Sequence, residues 1–134
     1  VSIIEFSKDV SSQEAPEPLP VGDYVGEVIA VEAKTSAKGN LYLSMTFNID
    51  PSDYPADYIE GDPSGTRLSY NRLLLTDTPP ARYALRSFCE AVGARVPARQ
   101  FDPSDLMGVR GMLTITHDEY EGQKRAQISK VSGV

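Results

Sequence analysis

Three tyrosines and six basic residues recur on the parts of this chain that read as extended. Tyr42 and Tyr70 each stand in an alternating run, and Tyr120 stands in a turn that holds a glycine. Lys34 and Lys38 flank the turn before Tyr42, Arg67 and Arg72 bracket Tyr70, and Lys124 and Arg125 follow Tyr120. Aromatic rings give unpaired bases a platform, and a basic groove neutralises phosphates. Together these are the chemistry of sequence-tolerant single-strand binding. Each residue also has a blander reading. Tyrosine favours strands for its own reasons, and a lone Lys or Arg is usually a solvated charge. Tyr70 shares its face with Leu68 and Leu74 and so also reads as core. Arg67 and Arg72 fall on opposite faces of a regular strand and serve one groove only if the strand bends.

Catalysis is poorly supplied. The one histidine, His117, has no cysteine or second histidine to complete a zinc set, and it reads as a turn residue. No serine sits in a nucleophile elbow, and the glycines follow neither a Walker nor a dinucleotide pattern. The expectation is therefore no catalytic residue, no metal and no cofactor. Two rivals are kept. One is a protein-interaction adaptor without nucleic-acid binding, favoured by the net charge of −6. The other is a metal enzyme using the acids of residues 50–62.

The elements that must position the candidate residues are five strands and one helix. Residues 1–20 read as a flexible, Pro-rich arm whose Ile3, Ile4 and Phe6 could pin its start to the body. The first strand runs from Asp23 to about Lys34, with Gly26 and a slip in alternation near Val28 and Ile29 predicting a bulge. Asn40 to Ile49 alternates cleanly, placing Leu41, Leu43, Met45, Phe47 and Ile49 on one face and Tyr42, Ser44, Thr46 and Asn48 on the other. An acidic, turn-rich insertion occupies residues 50–65, where Tyr54 and Tyr58 are expected to pack the loop onto the body or contact protein. The third strand, Gly65 to Leu75, is mixed on both faces.

Thr78 or Asp77 caps a helix that begins with proline, runs to about Val92 and ends at Gly93. Ala81, Leu85, Phe88, Cys89 and Val92 form its apolar stripe, so Cys89 reads as core and not as a reactive thiol. Val109 to about Thr116 is the fourth strand, residues 117–122 a turn, and Gln123 to Val131 the fifth strand. Five strands with one helix between the third and fourth is the order of a mainly β, Greek-key OB-fold barrel, placed here over residues 21–134. Such a barrel binds oligonucleotides on its second and third strands and on the loops between strands one and two and four and five. The candidate residues lie on those parts.

The net charge argues against phosphate binding only as a sum. Residues 1–20 and 50–62 hold nine acids against Lys8 alone, which leaves ten acids and twelve Lys and Arg for the barrel. No apolar run approaches the roughly 20 residues that span a bilayer. No signal-peptide pattern is visible either, so no membrane association and a cytoplasmic site are expected.

Three segments carry a likeness beyond this pattern. LPVGDYVGEVIAVEAKTSAKGNLYLSMTFNI (19–49) opens with Leu-Pro-x-Gly-x-Tyr, passes a basic Ser/Gly turn and closes on Leu-x-Leu-x-Phe-x-Ile. RYALRSFCEAVGA (82–94) carries a helix ending near Cys-x-Ala-x-Gly, and DLMGVRGMLTITHDEYEGQKRAQI (105–128) a Leu-x-Gly strand, a glycine hairpin and a closing strand. In this order the chain resembles a bacteriophage family of single-stranded-DNA-binding proteins, many of whose members are known only as a domain of unknown function. The resemblance implies an OB-fold that protects single-stranded DNA in phage replication or recombination, in the host cytoplasm. Its partners would be that DNA and replication or recombination proteins, with room for a homo-oligomer.

Overall fold

The computed structural model describes residues 2–134. Its strands are β1 (Gly22–Thr35), β2 (Leu41–Ile49), β3 (Thr66–Leu74), β4 (Arg110–Tyr120) and β5 (Gln123–Ser132), and its α-helix is α1 (Pro79–Val92). All strand pairs are antiparallel, in the order β3-β2-β1-β4-β5. The protein is thus mainly β with one helix between β3 and β4, as the element order predicts. No helix among the described residues is long and apolar enough to cross a membrane.

β1 organises the sheet. Gly22–Glu27 pairs with β4, and Glu27–Thr35 pairs with β2. The predicted bulge is present where the partner changes, as a register shift between Val28 and Ala30. An extra residue there bends the strand and increases its twist. Gly26 faces Gly111 across the β1–β4 ladder. A Cβ on Gly26 would collide with the Leu113 side chain, and one on Gly111 would stand 2.9 Å from Val131 and 3.3 Å from Val92 of α1. The paired glycines let side chains from opposite walls meet over the backbone.

β2 keeps its alternation: Leu43, Met45, Phe47 and Ile49 are buried, and the intervening residues are half-buried. With Val28, Leu113, Ile115 and Ile128 they fill the concave side of the sheet. α1 closes this core with Phe88 and Cys89, and Leu106 adds to it from the turn before β4. Thr78 caps α1 by accepting from the Ala81 amide, and Gly93 ends it at φ 70°, a left-handed conformation that glycine adopts without strain. Burial raises the pKa of the Cys89 thiol, consistent with a core residue.

Two expectations need correction. His117 is not in a turn: β4 runs on to Tyr120, because the turn is only Glu121-Gly122, both at positive φ (52° and 80°). Two such residues make a type I′ hairpin loop, which frees residues 117–120 to pair with β5. His117 Nε2 lies 2.7 Å from the Leu19 carbonyl and so ties the end of the arm to β4. Second, Ile3, Ile4 and Phe6 do not pin the arm; they are 94%, 76% and 65% exposed, and Leu19, 1% exposed, is the anchor instead. Among the described residues no backbone ladder joins the edge strands β3 and β5, so the sheet does not close into a hydrogen-bonded barrel. The edges do meet, where Arg72 Nη1 donates to the Ser129 carbonyl at 3.1 Å.

Candidate nucleic-acid interface

Residues opposite each other in an antiparallel pair share a face, so the register decides which candidates act together. Lys34 pairs with Tyr42, and Tyr42 with Leu74, giving a row of cation, ring and aliphatic side chain across three strands. This is the outer face, opposite Leu43 and Phe47. Leu74 is 49% exposed beside Tyr42. Strict alternation had grouped Leu74 with Leu68 and Tyr70; the structure separates them.

A bulge in β3 is the cause. Met45 pairs with Tyr70 and Leu43 with Leu73, so one extra β3 residue stands opposite Ser44. The phase flips between Tyr70 and Leu74, and Arg72 joins Leu74 on the outer side, as Arg67 and Ser69 do from the earlier phase. The bend required for Arg67 and Arg72 to share a face is therefore present. The consecutive leucines 73–75 were the sequence signal for it, since alternation cannot run through them.

The same register puts Tyr70 inside. Its ring stacks on Phe88 of α1 at 6.3 Å and 17°, and meets Phe47 edge-on at 6.3 Å. Desolvation raises its pKa. Tyr70 is thus part of the core packing under α1 and does not stand on the face that carries Tyr42.

The β4–β5 hairpin supplies a second group. The Arg125 guanidinium lies 4.6 Å from the centre of the Tyr120 ring and donates to both Asp118 oxygens, at 2.9 and 3.3 Å. Tyr120 is 57% exposed. Lys124 pairs with Glu119 and takes the opposite face of the hairpin from Arg125, so it does not join this group. Arg72 donates to the Ser129 carbonyl and so sets β5 beside β3. Ala126, next to Arg125, lines a cleft with Arg67 at the other end of β3, so the Tyr120–Arg125 group stands at the opposite end from the Tyr42 row.

Local charge grades this surface. Lys34 Nζ lies 3.3 Å from Glu32, an exposed pair of the kind that contributes about 0–1 kcal/mol and that a phosphate can displace. Lys38 is exposed in the turn and forms no ion pair among the described residues. Arg67 stands at the other end of β3 and lines a cleft of about 410 Å³ with Glu17, Glu60 and Asp62. Its charge adds a little to what the Ser64 hydroxyl and amide do in lowering the Asp62 pKa. Arg67 therefore faces the acidic side of the molecule.

That acidic side is built, not loose. Tyr54 and Tyr58 meet edge-to-face at 5.2 Å. The Tyr54 hydroxyl donates to the Asp62 carbonyl at 3.0 Å and lies 2.7 Å from Thr66 Oγ1, and the Tyr58 hydroxyl donates to the Glu17 carbonyl at 3.2 Å. Glu60 accepts from the Glu17 amide at 2.6 Å, so arm and insertion are clamped together. Both tyrosines pack the loop onto the body, as expected. Asp50 and Asp62 cap local turns by accepting from the Ser52 and Ser64 amides. Among the described residues, no three His, Cys, Asp or Glu side chains converge as metal ligands would.

The protein is thus a coiled five-stranded antiparallel sheet capped by one helix, with rings and cations along its convex face. The chain belongs to the DUF669 family, described as a protein of unknown function, whose family model matches residues 6–131. No curated protein matches it.

Proposed function

We propose that this protein binds single-stranded DNA along its convex face, without strong sequence preference and without a catalytic step. The observation that carries the proposal is the Lys34–Tyr42–Leu74 row, with Arg72 on the same outer face; the Tyr120–Arg125 pair of the β4–β5 hairpin adds a second group. In this reading the sheet is an OB-fold whose β3–β5 seam is bridged by a side chain in place of a ladder. The strand order and the helix between β3 and β4 support it. Tyr42 and Tyr120 stack bases, while Lys34, Lys38, Arg72 and Arg125 hold phosphates. Tyr70 supports Tyr42's strand from beneath, and Arg67 neutralises the acidic end. In this reading, which the sequence resemblance to phage single-stranded-DNA-binding proteins supports, the protein serves phage replication or recombination in the host cytoplasm.

The test is titration into a labelled oligothymidine of about 30 nucleotides, with duplex of equal length as control. Single strands bind tightly and duplex weakly, and log K falls with log salt by about 0.7 per phosphate neutralised. No single-strand binding at low salt overturns the proposal. The clamped acidic surface favours a second reading, an adaptor for a basic protein, which predicts binding that survives loss of Tyr42.

A further inference from the structure

The arm presents apolar side chains that nothing among the described residues covers. Ile3, Ile4, Phe6 and Val10 are between 62% and 94% exposed. Exposed apolar surface concentrated in one segment marks an interaction site more often than scattered single residues do. The family match begins at Phe6, so it takes in Phe6 and Val10 of the arm but not Ile3 and Ile4.

A groove of matching character lies elsewhere on the molecule. It is a cavity of about 370 Å³ between the start of β2, the end of β3, α1 and the segment after it. Leu41, Leu74 and Val96, between 40% and 49% exposed, contribute apolar wall, and Phe101 adds an aromatic one. Arg82, Arg86 and Arg99 stand around it. Arg82 is paired with Asp77 and Arg86 with Glu90, which leaves Arg99 without an ion pair among the described residues. The arm segment carries the complementary charge at Glu5, between Ile4 and Phe6, and at Asp9.

Geometry separates an arm from the groove of its own chain. Glu17 is clamped by Glu60 and Tyr58 at the Ile49–Thr66 end of the β2–β3 ladder. The groove is at the Leu41 end. Eight residue steps of β2 put these ends about 26 Å apart at about 3.3 Å each. Residues 8–17 fold back around Glu60 to line a shared cleft. The six residues 2–7 then span at most about 20 Å. The groove of a second molecule has no such limit.

We infer that two copies of this protein exchange arms, with Ile4 and Phe6 of each seated in the groove of the other and Glu5 facing Arg99. Reciprocal exchange closes a two-fold dimer in which both copies use the same patches. The groove shares Leu74 with the Tyr42 row, so an arm seated there would border DNA bound at Tyr42, and the test therefore uses no nucleic acid.

Two full-length variants, Phe6→Cys and Val96→Cys, are mixed and oxidised; Cys89 is buried and does not compete. A covalent heterodimer is expected, well in excess of that formed when Lys124→Cys replaces Val96→Cys. Sedimentation of the unmodified protein from about 1 to about 500 µM, spanning micromolar affinity, shows a concentration-dependent dimer. Ile4→Asp with Phe6→Asp leaves a monomer with an unchanged melting temperature. The inference is overturned by a monomer at every concentration. It is also overturned by a dimer indifferent to the arm substitutions, or by crosslinking no greater than the Lys124 control.

Discussion

The two loops beside β2 invert what their composition suggests. The turn of residues 36–40 is short, basic and open: Gly39 sits at φ 85°, and a Cβ there would touch nothing within 4 Å. The insertion of residues 50–65 is long and acidic, with the prolines and glycines of a mobile loop. Yet it is tied by two tyrosine hydroxyls, an edge-to-face ring pair and a carboxylate-to-amide bond to the arm. Tyrosines distinguish the two regions. Tyr54 and Tyr58 have spent both ring and hydroxyl on the fold, whereas Tyr42 makes no side-chain hydrogen bond among the described residues and pairs across the ladder with Lys34.

The sharpest way to break this comparison is to remove one ring from each region. Tyr42→Ala should cost about 1–3 kcal/mol of single-strand affinity, roughly 5- to 150-fold, with little change in melting temperature. Fluorescence anisotropy on oligothymidine reads the first and thermal denaturation the second. Tyr54→Ala with Tyr58→Ala should do the reverse. Losing the ring pair and the hydroxyl bonds should lower stability by about 1–3 kcal/mol. Limited proteolysis should then cut within residues 50–65 while DNA affinity holds. If both variants weaken DNA equally, the division between the regions is wrong.

Gly39→Ala tests the open turn itself. A non-glycine residue at that positive φ costs about 1 kcal/mol, so a modest fall in stability is expected. Lys38→Ala should leave stability alone and reduce the slope of log K against log salt by about 0.7, the share of one phosphate. The smallest effect is on pH. The Ser52 amide and then its side chain hold Asp50, and the Ser64 hydroxyl and then its amide hold Asp62, below the usual carboxyl value of 3.8. A lowered folded pKa gives a contribution that is full above 3.8 and lost as pH falls through the folded value. The protection factors of the Ser52 and Ser64 amides, exchange rates corrected for their intrinsic pH dependence, should fall over that acid range, while those of the 36–40 turn, which has no carboxylate, stay unchanged.

Much of this was legible in the chain. The nine-residue alternation of β2, the stripe of α1 with its Thr78 and Gly93 caps, and the bulge after Gly26 all follow from local pattern, because each depends on neighbours a few residues away. What escaped reading depended on partners. Strict alternation misplaced Leu74 and left Tyr70 undecided, since only the register with β2 fixes the β3 bulge. The turn around His117 was drawn too long, because Glu121 gives no warning that it will accept positive φ. That Arg67 faces acids and Arg125 is held by Asp118 required the tertiary fold.

The Arg72–Ser129 bond has a consequence for how the molecule breathes. Elsewhere strand meets strand through repeated backbone bonds, but here a single guanidinium spans the gap. The outward amides along β3 and β5 have no ladder partner among the described residues, so they exchange most readily, and local separation of the seam exposes them further before the β1–β2 and β1–β4 ladders give way. Arg72→Lys removes the planar fork while keeping the charge. It would speed that separation selectively, so that the seam becomes the first crack along which the sheet uncoils.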